Sequence, residues 1–346
     1  MLGVKMIFGF SILKHISDDL ALQIIDTIKG TSTDTPVNNA IRNFSINHFT
    51  NSYSIWATVN AGVLVGGKET VDIKFIYEPD FSVLDERFTE FLGEIVGKDN
   101  AEKIPPLREW GLWTMRYGMD IKLEHIGETM RVFTKTDMPV QHLNPKNAID
   151  IVNGVPAYIF RETGKKDGKL EIYPKSELIK LGYIDYRGAT EHLVEKNNDT
   201  VRLVMNHNIR HMGYAKRFLT KFEMDLWRLE SFLNPLAVTN TFRKAYLDTI
   251  GNGDFYKYET ALEITEKEVS NYQNRKILIK LLNNINEKGS VAKAWESAAD
   301  RTKFRKELKL LREAGINGAL LEPDAKIGRI QNPFDEIYKK CQIYSP

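Results

Sequence analysis

The chain has 346 residues, 42% of them hydrophobic and 27% charged, and a net charge of only +2. That composition belongs to a folded globular protein and excludes a charged, disordered chain. A single cysteine, Cys341, excludes a disulfide framework and a cysteine-built zinc site and implies a reducing, cytoplasmic setting; no apolar run is long enough to cross a bilayer.

Residues 6–13 are apolar but interrupted by Gly9 and Ser11, with no small-residue cleavage site behind them, so they read as a buried first strand and not a signal peptide. Residues 53–59 (YSIWATV) and 71–77 (VDIKFIY) are rich in β-branched and aromatic side chains. They predict antiparallel strands connected through turn or bulge material at Gly62, Gly66 and Gly67. Ser82, with Asp85 three residues on, predicts a capped helix start, and Leu84, Phe88, Phe91, Leu92 and Ile95 give that helix one apolar face. Pro105-Pro106 ends the unit. Over residues 112–121 the period is two: Met115, Tyr117, Met119 and Ile121 share one face, and Thr114, Arg116, Gly118 and Asp120 the other.

A helix carrying Ile126, Met130 and Phe133 follows. Residues 170–173 form a strand that Pro174 ends, with Ser176 as the cap of a short helix, and residues 201–205 give the last strong strand. Beyond about residue 215 the pattern is helical. Ile277, Leu278, Leu281, Leu282 and Ile285 form one stripe ended by Gly289; Phe304, Leu308 and Leu311 form another, closed by Gly315. The expected architecture is α+β: a mostly antiparallel sheet flanked by helices over residues 1–222, then a mainly helical region over 223–346. Charge divides along the same line. Residues 201–346 hold 25 basic and 18 acidic side chains, against 23 and 28 in the first 200, so the C-terminal part suits a polyanionic partner.

The C-terminal third carries a resemblance. Ile250-Gly251-Asn252-Gly253-Asp254-Phe255-Tyr256, then residues 279–285, then residues 310–318 (LLREAGING) and Asn332-Pro333-Phe334-Asp335-Glu336-Ile337 resemble the tail of the gene II/X family of phage and plasmid replication proteins. Residues 170–178 (LEIYPKSEL) resemble that family's Ile-Tyr-x-Lys segment, residues 200–217 its basic strand, and residues 117–121 its Asp-bearing strand. The likeness runs from about residue 70 to the C-terminus, thinly at first. It implies a rolling-circle replication initiator, in which a tyrosine nicks one origin strand, stays joined to the 5′ end and later re-closes the strand.

Such chemistry needs a phenol made reactive at neutral pH, far below its ordinary pKa of about 10, and positive charge on the phosphate. On this resemblance Tyr173 is the candidate nucleophile and Lys175 its phosphate-facing cation, with Tyr183 and Tyr186 as alternatives. Asp120 and Glu171 are the candidate ligands of Mg²⁺ or Mn²⁺. Arg116, Arg202, Arg210, Lys216, Arg217 and Lys221 are the candidate DNA contacts, with single-stranded or hairpin origin DNA as partner and a host helicase as a possible recruit. The chain departs from the family pattern twice. Arg116 stands where an acid is expected before Asp120, and Val204 where a glutamate is expected after Arg202. His125, His207 and His211 are the substitutes considered for lost metal ligands, although strand spacing would separate the last two. Two other readings therefore stand beside the active nickase: a catalytically degenerate relative that binds DNA and regulates or interferes with replication of a mobile element, and an interaction protein without DNA.

Overall fold

A computed structural model describes residues 4–29, 40–49, 52–66, 74–76, 81–136, 148–152, 155–163, 168–180, 190–208, 228–233, 243 and 246–337. The elements are β1 (Val4–Ile16), α1 (Asp18–Lys29), β2 (Ile41–Phe49), β3 (Ser52–Asn60), α2 (Ala61–Gly66), β4 (Lys74–Ile76), α3 (Phe81–Val96) and α4 (Lys98–Ala101). There follow β5 (Gly111–Lys122), α5 (Ile126–Thr134), β6 (Ala148–Val152), β7 (Val155–Thr163), β8 (Gly168–Pro174), α6 (Lys175–Lys180), α7 (Thr190–Lys196) and β9 (Thr200–Asn208). The C-terminal part holds β10 (Phe255–Tyr256), α8 (Tyr258–Glu268), α9 (Tyr272–Lys288), α10 (Val291–Glu296), α11 (Arg301–Glu313) and β11 (Arg329–Ile330).

The fold is α+β. Nine strands form one antiparallel sheet in the order β2-β3-β1-β5-β9-β8-β7-β6, with β4 paired to β1 off that path. The alternation read from β5 holds: Met115, Tyr117, Met119 and Ile121 are buried on the core face, joined there by Phe10, Ile12, Ala57, Val59, Leu203 and Met205. The Tyr117 hydroxyl donates to the Phe232 carbonyl at 3.0 Å, so its one polar atom is satisfied in that core. Among the described helices none is long and apolar enough to cross a membrane.

Several local expectations are corrected. Where turn or bulge material was expected after β3, Gly62 and Gly66 lie in the short helix α2, while Gly67 lies outside the described residues; β4 pairs antiparallel with β1. Ser82 does not open its helix, which starts at Phe81; Asp85 instead accepts hydrogen bonds from the Leu107 backbone N–H and the Arg108 guanidinium, tying α3 to the turn before β5. Ser176 lies inside α6, which begins directly at Lys175. The C-terminal helices end as read: Gly289 is left-handed at φ 76°, and Gly315 follows α11 at φ 81°. The expected boundary near residue 222 lies outside the described residues. Contacts do run between the sheet part and the C-terminal part. Phe133 packs against Phe255 with ring centroids 5.8 Å apart, and Lys135 donates to the Leu320 carbonyl and pairs with Glu322 at 2.8 Å.

Candidate functional site

Three adjacent strands bring the sequence-derived residues together. The registers Asp120↔Arg202 between β5 and β9 and Tyr173↔Arg202 between β8 and β9 set all three on one rung of the sheet, on the face opposite the core. Glu171, Val204 and Gly118 form the rung two residues along. Neither Val204 nor Gly118 presents a polar side chain, so Glu171 reaches past them to Arg116 on the following rung.

The pairing is internal. Arg202, 1% exposed, donates from Nε to Asp120 Oδ1 at 2.6 Å and from Nη2 to Oδ2 at 2.8 Å, a two-point guanidinium–carboxylate fork. Lys175, 3% exposed, meets Asp120 Oδ2 at 3.0 Å. Arg116 Nη2 donates to Glu171 Oε2 at 2.9 Å. Burial alone would raise the Asp120 pKa, but the hydrogen bonds and charges of Arg202 and Lys175 outweigh it and hold the carboxyl below its usual range. The Tyr173 ring is sealed at 3% exposure. Burial drives its phenol pKa well upward; Arg202 and Arg116 pull it down only in part, while Glu171 and Asp120 push it further up.

These placements bear directly on each expected role. Tyr173 and Lys175 do lie together beside Asp120 and Glu171, yet the phenol is held neutral and the lysine is engaged by a carboxylate. Both oxygens of Asp120 already meet cationic N–H groups, as does Oε2 of Glu171, so this donor set does not fit a divalent cation. No group of three His, Cys, Asp or Glu among the described residues is arranged to hold a metal. Arg202, read as a DNA contact, is buried against Asp120 and has no surface to offer a phosphate. Arg116, with a side chain 30% exposed, is turned onto Glu171. Arg210, Lys216, Arg217 and Lys221 lie outside the described residues, as do His211, Tyr183 and Tyr186. His125 stands just ahead of α5 and is exposed.

Arg116 and Val204, the two positions at which an acidic residue was expected, lie beside this network. Arg116 gives Glu171 a fixed positive partner, and the apolar Val204 is fully buried and offers no ligand atom. Three cationic side chains thus stand against two carboxylates.

The C-terminal residues that carry the resemblance form a different assembly. The Asn317 amide donates to the carbonyls of Ile250 and Asn252, both at 3.0 Å, and the Asn332 amide to those of Gly251 at 3.0 Å and Gly253 at 2.7 Å. Asp254 accepts from the Arg329 guanidinium and the Asn332 N–H. Gly251 and Gly253 adopt φ 81° and 84°, and a Cβ on Gly253 would lie 2.7 Å from the Ile316 carbonyl carbon. These hydrogen bonds position backbone.

Two further features were not singled out from the sequence. Trp56 and Trp113, half-buried on the polar face of the sheet, meet edge to face at 4.6 Å. Trp295 of α10 lies beneath Arg301 and Arg305 of α11. The visible signal for the second was a helix opening on Arg301, Lys303, Arg305 and Lys306.

No family model matches this chain, and no curated protein matches it.

Proposed function

We propose that the protein binds DNA on a scaffold of the rolling-circle initiator kind without cutting it. It is then a catalytically degenerate relative of the gene II/X replication proteins, regulating or interfering with the replication of a mobile element. The observation that carries this reading is the closed ion-pair network: Arg202, Lys175 and Arg116 occupy the carboxylates that strand nicking would give to a metal, beside a buried, neutral phenol. A phenol activated for attack needs the opposite shift, toward the phenolate. The DNA partner rests on the resemblance and on the basic excess of the C-terminal part.

An active metal-dependent nickase is the second reading, favoured by the convergence of Tyr173, Glu171, Asp120 and Lys175 on one sheet face. The two separate in one assay. Purified protein is incubated with supercoiled DNA carrying the element's own origin, in Mg²⁺ or Mn²⁺, and binding is followed in parallel as salt is raised. The expected result is binding that weakens steeply with salt and no cleavage. A nicked, 5′-tyrosyl-linked product that disappears in Tyr173→Phe would establish the nickase instead. Absence of DNA binding at low salt would remove both readings.

A further inference from the structure

We infer that the α10–α11 corner is a phosphate-binding platform for the DNA backbone, with Arg301 and Arg305 as its contacts and Trp295 as the plate that holds them. The inference rests on the DNA-binding reading above and names the surface that would perform it.

Arg301 and Arg305 are four residues apart on α11 and so share one helix face. Their guanidinium carbons lie 4.4 Å and 5.6 Å from the centre of the Trp295 ring on the preceding helix. The indole is 3% exposed and, among the described residues, its Nε1 donor meets no acceptor. It serves there as a rigid face, not as a hydrogen-bonding group. Stacking on an aromatic face leaves the edge of a guanidinium open, and that edge carries the five N–H donors suited to a phosphate. Arg301 is exposed and Arg305 half-buried; among the described residues neither meets a carboxylate within ion-pair distance. Two of the three lysines on the same helix differ, since Lys303 pairs with Glu307 at 3.9 Å and Lys309 with Glu313 at 3.6 Å.

The placement also runs against the helix's own electrostatics. The first turn of a helix favours acidic side chains, because unpaired N–H groups give that end partial positive charge. The first turn of α11 has no acidic residue and holds Arg301 and Lys303. Asp300 offsets part of this as N-cap, its carboxylate accepting from the N–H groups of Thr302 and Lys303, both at 2.9 Å. Beyond that cap the positive side chains stand in a field that repels them. A polyanion laid across the corner relieves the repulsion, and the stacked geometry limits the side-chain entropy lost on binding.

The test is salt-dependent binding of a short duplex of arbitrary sequence, followed by fluorescence anisotropy. Arg301→Gln with Arg305→Gln is compared with wild type and with Lys98→Gln plus Lys267→Gln, a pair that removes two exposed lysines elsewhere. Loss of two phosphate contacts should lower the slope of log affinity against log salt by about 1.8, at roughly 0.9 per contact, and weaken binding at least tenfold at low salt. The control pair should bind as wild type does. Unchanged binding by the arginine variant, or equal loss in the control pair, overturns the platform while the DNA-binding reading stands. No binding by wild type removes both. Thermal melting confirms that each variant is folded; Arg301, Lys98 and Lys267 are exposed and Arg305 is half-buried.

Discussion

Asp120 shows how one carboxylate can be committed by its neighbours. Replacing it by asparagine removes the carboxylate that the buried Arg202 and Lys175 share, and breaking a buried ion pair costs about 3–5 kcal/mol. Urea unfolding of Asp120→Asn at neutral pH should show a loss of that order; a variant as stable as wild type would mean the network is solvated and weak. Acidity gives the complementary result. The carboxyl is held below its unfolded pKa, so its contribution is fully present above that value and is lost as pH falls through the folded one. Wild type should therefore forfeit the difference as pH falls below the ordinary carboxylate range, and Asp120→Asn should not. Tyr173 has the opposite sign: its phenol pKa is raised by burial, so the neutral form contributes stability below the unfolded value that fades as pH climbs through the folded one. That Tyr173, Glu171 and Asp120 belong together was legible in the sequence, from strand period and resemblance. That they are paired with Arg116, Arg202 and Lys175 was not, because pairing depends on which strands lie side by side.

At the scale of elements, the strongest sequence signals were also the most local. The alternation of β5, the stripes of α9 and α11 and the glycines after them were readable because each is set within one or two turns of backbone. The strands β2, β6 and β7 and the helix α1 were not singled out, since their patterns are short or mixed and need neighbours to be recognised as sheet or helix. The Gly251–Asp254 loop sits between these cases. Its glycines were visible, but their reason is the close approach of Arg312 at the end of α11 and of Ile316 and Asn317 just after it. Gly253→Ala meets both a left-handed φ, costing about 1 kcal/mol, and a backbone contact that must give way. Its denaturation midpoint should fall by about 2 kcal/mol or more in stability. Gly328→Ala, with open space around its added methyl, should stay within about 0.5 kcal/mol of wild type. Equal effects would mean the loop adapts.

Across the whole molecule, the sheet and the C-terminal helices contribute to one continuous set of buried side chains, from Phe10 to Ile337. Phe133 is fully buried at that junction, against Phe255. Truncating it as Phe133→Ala should cost about 3–5 kcal/mol and lower the melting of strand and helix signals together. Two separate transitions, only one of them shifted, would show that the parts unfold independently. By itself the sequence determined the class of the fold, the faces of its main strands and helices, and the uneven spread of charge, because these follow from periodicity and composition along the chain. Only the tertiary structure decided that the site's carboxylates face arginine and lysine, and that two arginines rest on Trp295. Strand order brings together charges that stand far apart in sequence, and the packing of α10 against α11 sets the arginines on Trp295; local preference chooses neither.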